Sequence, residues 1–219
     1  MIDYVPTTTL FDIRTSLKLL DLSENPIASL PSHGFHGLYG LQTLIISNMP
    51  NLNSIDALAF HDLHSLTTLE CRNNPNLSWI HPKAFRDNLY QEKTDSVKVL
   101  DLRKNKLCSL SEDLLNWSSL ELLKLSGNPW MCHCSLLWLL HLPADIFHTD
   151  EHLYCDNHPL MTKLRQECEQ HSSWILPTLI TSFFIILIVI MVTTFYILRQ
   201  KFKAVIENYV PLQNHILSK

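Results

Sequence analysis

Leucines recur in this chain with a period near 24 residues, and that recurrence constrains the fold more than anything else in it. The template is L-x-x-L-x-L-x-x-N-x-L. Leu17, Leu20, Leu22, Asn25 and Ile27 fit it. Leu41, Leu44, Ile46, Leu52 and Ile55 fit with one inserted residue and with Met49 where asparagine belongs. Leu66, Leu69, Cys71, Asn74, Leu77 and Ile80 follow, then Val97, Leu100, Leu102, Asn105, Leu107 and Leu110. Leu120, Leu123, Leu125 and Asn128 open a fifth unit, and the starts lie 24, 25, 31 and 23 residues apart. Within each unit the L-x-L core alternates as a half-buried strand does. The asparagine suits a turn, because its amide bonds neighbouring backbone groups. Phe35, Phe60 and Phe85 recur at one phase and are expected to fill the core on the far side. One unit cannot bury its own apolar face, so the units must stack. The expected fold is α/β: a curved solenoid with a short parallel sheet on its concave side.

Two departures stand out. The third unit is long, and its extra residues, Arg86–Ser96, form a polar run expected to loop out of the convex or lateral side. At the front, Val5-Pro6 and Leu10-Phe11 read as the tail of an earlier unit, and the first residues have no signal-peptide pattern. An uncapped end would expose core leucines, so either further repeats are expected upstream of Met1, the favoured reading, or a partner covers that end.

Over roughly residues 5–128 the repeats resemble the leucine-rich-repeat family. The next stretch, Asn128-Pro129-Trp130-Met131-Cys132-His133-Cys134-Ser135-Leu136-Leu137-Trp138-Leu139, with Cys155 and Cys168 after it, resembles the cysteine-rich C-terminal cap of extracellular members. Four cysteines allow three pairings, and spacing does not choose among them. The resemblance implies Cys132–Cys155 and Cys134–Cys168. Residues Ser135–Leu142 are apolar and are expected to form a short helix over the last repeat.

Trp174–Leu198 contains no charged residue. As a helix it reaches about 38 Å at ~1.5 Å per residue, more than the ~30 Å hydrocarbon core of a bilayer. Trp174 and Tyr196 sit where amphipathic rings favour the interface, and Arg199, Lys201 and Lys203 follow at once. Residues 1–173 carry 13 Lys/Arg against 20 Asp/Glu, whereas 199–219 carry 4 against 1. The positive-inside rule then places the repeats outside and the tail in the cytoplasm of a single-pass plasma-membrane protein. The expected layout is repeats at 1–128, cap at 129–168, linker at 169–173, transmembrane helix at 174–198 and tail at 199–219. Lipid is a partner on this reading, and nucleic acid is not, because the main part is acidic. The tail holds no folded domain, so signalling would need a co-receptor. Tyr209-Val210-Pro211-Leu212 matches a tyrosine-based sorting signal.

Chemistry is sparse. Only Gly34, Gly37, Gly40 and Gly127 are glycine, which leaves no phosphate loop, and no nucleophile elbow or zincin helix occurs. The chain reads as no enzyme and needs no cofactor. His33 with His36, and His61 with His64, repeat an i, i+3 spacing that a zinc or copper site could use. Solvent-facing positions after the strand explain that spacing more simply, and no metal is expected. Reduced Cys132-His133-Cys134 could ligate zinc, but an extracellular setting favours disulfides. Cys71 takes a core leucine position and reads as a buried thiol, and Cys108 as a more exposed, inert one. Asn76-Leu77-Ser78 and Asn116-Trp117-Ser118 have the form of glycosylation acceptors.

The concave face is the usual binding surface of such solenoids. Its outward rows are Asp21, Ile45, Glu70, Asp101, Lys124; then Ser23, Ser47, Arg72, Arg103, Ser126; then Glu24, Asn48, Asn73, Lys104, Gly127. The residues expected to meet a protein partner are Asp21, Glu24, Asn48, Glu70, Arg72, Asp101, Arg103, Lys104 and Lys124. A solvated face with charges paired across neighbouring strands is the plainer reading. The favoured function is a type I receptor or adhesion molecule with an extracellular or membrane protein as ligand. Its rivals are an auxiliary subunit of a channel or receptor in the same membrane, and a Toll-like receptor fragment without its signalling domain.

Overall fold

The computed structural model describes residues 1–85, 96–147 and 153–216, with side-chain surroundings in the last helix given for 180–203. The expected loop at Arg86–Ser96 therefore lies, but for Ser96, outside the described residues. Residues 1–168 pack as one compact unit and 169–219 as another.

The first unit is a parallel solenoid. Its strands in chain order are β1 (Leu19–Asp21), β2 (Ser29–Leu30), β3 (Thr43–Ile45), β4 (Ser54–Ile55), β5 (Thr68–Glu70), β6 (Trp79–Ile80), β7 (Val99–Asp101) and β8 (Leu122–Lys124). β1-β3-β5-β7-β8 form one parallel sheet, and β2-β4-β6 form a second. The register follows the repeat: Leu20, Leu44, Leu69, Leu100 and Leu123 pair across neighbouring strands. All five are buried, as are Leu22, Ile46, Cys71, Leu102 and Leu125 two positions on. Each such side chain contributes about 1.5–3 kcal/mol on burial, but only because the next coil covers it. Phe35, Phe60 and Phe85 are buried in line, with ring centroids 5.8 and 4.8 Å apart.

The asparagines close the turns after the strands. Asn74 Nδ2 donates to the Ile46 carbonyl (3.0 Å), and its Oδ1 accepts from the Met49 amide (2.8 Å). Asn105 Nδ2 donates to the carbonyls of Cys71 (2.7 Å) and Leu102 (2.8 Å), and its Oδ1 accepts from the Asn74 amide (2.9 Å). Asn128 repeats the pattern onto Leu102, Leu125, Asn105 and Leu107. A buried polar group survives only when bonded, and each amide here bonds its own coil and the one before. Met49 breaks the ladder at one step and is fully buried instead.

Beyond β8 the apolar end is covered. Trp130 is buried and its Nε1 donates to the Leu125 carbonyl (3.0 Å). Trp138 lies 4.4 Å from the Trp117 ring and donates to the Leu110 carbonyl. The covering helix at Cys134–His141 is 3-10 in form, with Leu136 and Leu139 buried. Cys132 is bonded to Cys155 and Cys134 to Cys168. Between these cysteines, β9 (Tyr154–Cys155) and β10 (His158–Pro159) make an antiparallel hairpin. Its turn residues, Asp156 and Asn157, have φ of 49° and 63°. Left-handed backbone at both central positions is what the I′ form of a two-residue hairpin requires, and Asp and Asn tolerate it. α1 (Leu160–Leu164) then packs Leu160 and Leu164 inward.

The second unit is α2 (Gln170–Ile216), 47 residues in length. Ile180–Lys203 within it is 24 residues long, has mean hydropathy 2.5 and is not buried, so it is long and apolar enough to cross a membrane. The helix does not stop at Leu198. It continues through the basic residues to Ile216, so Tyr209 and Leu212 stand in helical backbone.

Candidate functional site

The exposed side of the five-stranded sheet carries three in-register rows of mostly polar side chains. Asp21, Ile45, Glu70, Asp101 and Lys124 pair in register across the five strands. Asp21 is exposed, and Ile45, Glu70 and Lys124 are half-buried. Asp101 differs. Its side chain is 6% exposed and lies against Arg103, with Nη2–Oδ2 at 2.6 Å and Nε–Oδ1 at 3.0 Å. Arg103 contributes its backbone amide to the same carboxylate (3.1 Å). Asp101 thus holds Arg103, whose side chain is 32% exposed. The Glu70–Arg72 pair is looser, at 3.8 Å with both side chains partly exposed. Both pairs join residues i and i+2, from the end of a strand to just beyond it, so these two pairs lie within one coil rather than across neighbouring strands.

The second row also divides. Arg72 is exposed, whereas Ser47 is buried. The Ser47 amide donates to Ser23 Oγ (3.1 Å), and Ser47 Oγ donates to the Glu70 carbonyl and accepts from the Arg72 amide (both 3.3 Å). These hydroxyls join coils and do not face a partner.

The third row has a backbone reason that the sequence pattern did not supply. Glu24, Asn48, Asn73, Lys104 and Gly127 all have φ between 55° and 73°. The chain leaves each strand through one left-handed residue. There the amide turns toward the next coil: Glu24 to Ser47 (3.1 Å), Asn48 to Arg72 (2.9 Å), Asn73 to Arg103 (3.0 Å), Lys104 to Ser126 (2.9 Å). Asn and Gly adopt this conformation most readily. At Gly127 an added Cβ would also stand 3.0 Å from Lys104 Cγ. Glu24, Asn48 and Lys104 remain exposed. The face is thus polarised, with Asp21 and Glu24 on the first strand's coil, Lys104 and Lys124 on the last two, and paired charges at Glu70–Arg72 and Asp101–Arg103 on the coils of β5 and β7.

The remaining predicted positions are dispersed. Asn76 is exposed, with Nδ2 donating to the Pro50 carbonyl (2.7 Å). Asn116 is half-buried and caps a 3-10 turn, its Oδ1 accepting from Ser118 Oγ (2.7 Å). Cys71 is a fully buried free thiol, pushed up to about 12 chiefly by burial, against which the Asn74 amide works. Cys108 is a half-buried free thiol. Sequence reasoning placed the histidines on one edge but missed Asp62, which His33 and His36 both approach. The signal was available, since Asp62 sits between His61 and His64. Across the coils the His61 ring meets that of His33 (5.5 Å), and within its own coil that of His64 (6.1 Å).

Comparison with known proteins supports the repeat. Residues 15–76 match the leucine rich repeat family model. No curated protein matches the chain. A solved structure similar to it is the crystal structure of human 5T4 (Wnt-activated inhibitory factor 1, trophoblast glycoprotein). The identity is 20% and the TM-score 0.35, over 74% of this chain and 89% of that one. The in-register strands and the asparagine ladder carry the matched unit on to Lys124, and the fold of this part of the chain is a leucine-rich-repeat solenoid.

Proposed function

We propose that the chain is a non-enzymatic, single-pass membrane protein whose five-stranded face binds another protein, as a cell-surface receptor or adhesion molecule. The observation that carries this reading is the polarised face. Five in-register strands carry Asp21 and Glu24 at one end, Lys104 and Lys124 toward the other, and ion-paired Arg72 and Arg103 just beyond β5 and β7, with Arg103 held by a buried Asp101 and the row of turns by left-handed residues. Such fixed, directional charge steers and orients a protein partner more than it stabilises the fold. The membrane setting rests on the exposed apolar helix and on the basic residues Arg199, Lys201 and Lys203 at its end. In this orientation the repeats lie outside and Asn76 and Asn116 carry N-linked glycans. Tyr209 and Leu212 act as a cytoplasmic sorting signal.

The test is topology followed by capture. An epitope tag at Met1 is expected to label on intact cells, and one at Lys219 only after permeabilisation. Surface crosslinking is then expected to join the repeats to a protein on the same or an apposed cell. Labelling of the Met1 tag only after permeabilisation would overturn the orientation. A chain that crosslinks to nothing through its repeats would overturn the binding role.

A further inference from the structure

The turns after β2 and β4 bring together a second set of side chains, away from the polarised face. His33 Nδ1 lies 3.2 Å from one carboxylate oxygen of Asp62, and His36 Nδ1 lies 3.4 Å from the other. The three donor atoms are all within 4.8 Å of one another. We propose that His33, His36 and Asp62 bind one divalent transition-metal cation of the zinc class, with its fourth coordination position open to solvent.

The donor set is suited to that ion. Zinc takes imidazole nitrogen at ~2.0–2.1 Å and carboxylate oxygen at ~2.0–2.2 Å in a tetrahedron, which sets ligand atoms about 3.4 Å apart. The two nitrogen–oxygen spacings, 3.2 and 3.4 Å to the two different oxygens of Asp62, are close to that value, and the carboxylate has to turn one oxygen toward both nitrogens to ligate. Three protein ligands with one open position is the arrangement of a reactive or bridging site rather than a closed structural one.

The frame is fixed before any ion arrives. Phe35, between the two histidines, is buried and stacks on Phe60 of the next coil. His33 holds a left-handed φ of 54°, and its amide donates to the Leu58 carbonyl (3.1 Å), four residues before Asp62. The His36 amide donates back to the His33 carbonyl (3.0 Å). Ring contacts restrain both imidazoles, His33 against His61 and His36 against Tyr39. Asp62 reaches the site from below with its side chain 9% exposed, whereas the imidazoles are 46% and 67% exposed. A buried carboxylate beside two partly exposed imidazoles leaves the ion an entry path. Without an ion, two imidazole N–H groups donating to the carboxylate would also satisfy the set, and the experiment separates these cases.

The full chain in detergent is titrated with Zn²⁺ alone and, separately, with Co²⁺. One Zn²⁺ per chain is expected, and Co²⁺ should give the visible absorption of a tetrahedral site. His36→Gln, at an exposed position that leaves folding unaffected, is expected to weaken Zn²⁺ binding at least tenfold and abolish the Co²⁺ band. Asp62→Asn should do the same, while His64→Gln and His133→Gln bind as the parent does. The absence of stoichiometric Zn²⁺ in the parent would overturn the proposal. So would equal binding by parent and His36→Gln, which would mark adventitious uptake by other histidines.

Discussion

Replacing Asn105 with leucine should cost more than any exposed change on the repeats, and the structure gives the size. The volumes are close, so little cavity opens. The loss is polar. The Asn74 amide and the Cys71 carbonyl lose the partner that Asn105 supplies, while the Leu102 carbonyl keeps Asn128. Two buried backbone groups orphaned at about 2 kcal/mol each give roughly 4 kcal/mol. Stacked coils depend on their neighbours, so the damage should centre on the coils of β5 and β7. Hydrogen exchange on the detergent-solubilised chain reads this locally. Amides of 69–74 should exchange nearly a thousandfold faster, since each 1.4 kcal/mol is tenfold. Asn25→Leu is the control. Asn25 is half-buried and water can replace its bonds to Leu22 and Ser23, so about 1 kcal/mol is expected there. Equal effects from the two substitutions, or unchanged exchange in Asn105→Leu, would refute the claim that the buried ladder holds the coils together.

Other outcomes follow from the same structure. Cys71 should resist alkylation in the folded chain while Cys108 reacts, and both should react once the chain unfolds. Because burial raises the Cys71 thiol to about 12 from 9.0, the unfolded chain ionises first; the Cys71 contribution to stability should be level below about pH 9 and be lost between 9 and 12. Cys71→Ala should flatten that fall in a pH series of denaturant melts. Removing Cys132–Cys155, whose ends are 23 apart in sequence, should cost about 3.4 kcal/mol, and removing Cys134–Cys168, whose ends are 34 apart, about 3.8 kcal/mol in the chain-entropy treatment. Denaturant melts of the paired Cys→Ser variants measure both. Asn76→Gln and Asn116→Gln should each remove one glycan-sized step from the mass of the chain made in secretory cells; no step for either would exclude occupancy.

How much was legible in the sequence varies by kind of interaction. Period and phase sufficed for the strands, because burial of Leu20, Leu44, Leu69, Leu100 and Leu123 is forced by an alternating pattern. The same pattern placed the row from Asp21 to Lys124. It did not reveal that Ser47 and Asp101 are buried within that face, since their covering comes from neighbours in space. The left-handed turn is only half-written in the sequence: Asn48, Asn73 and Gly127 signal it, while Glu24 and Lys104 adopt it under tertiary constraint. Asp62 was missed because its partners lie on another coil. The helix extending past Leu198 was missed because a charge boundary was read as a structural one, and backbone hydrogen bonds continue through charged residues.

The charge pattern of the sheet face can be inverted at fixed fold by Glu70→Lys with Arg72→Glu, which keeps an ion pair on β5 and its flank while exchanging the signs. The matched control is Lys163→Glu with Glu167→Lys, a pair 2.7 Å apart outside that sheet. Binding of the crosslinked partner to cells displaying each variant is the direct measurement. The face reading predicts at least a tenfold loss of affinity for the Glu70/Arg72 exchange and none for the control. Unchanged binding by the first exchange, or equal loss from both, would contradict a partner seated on the five-stranded face.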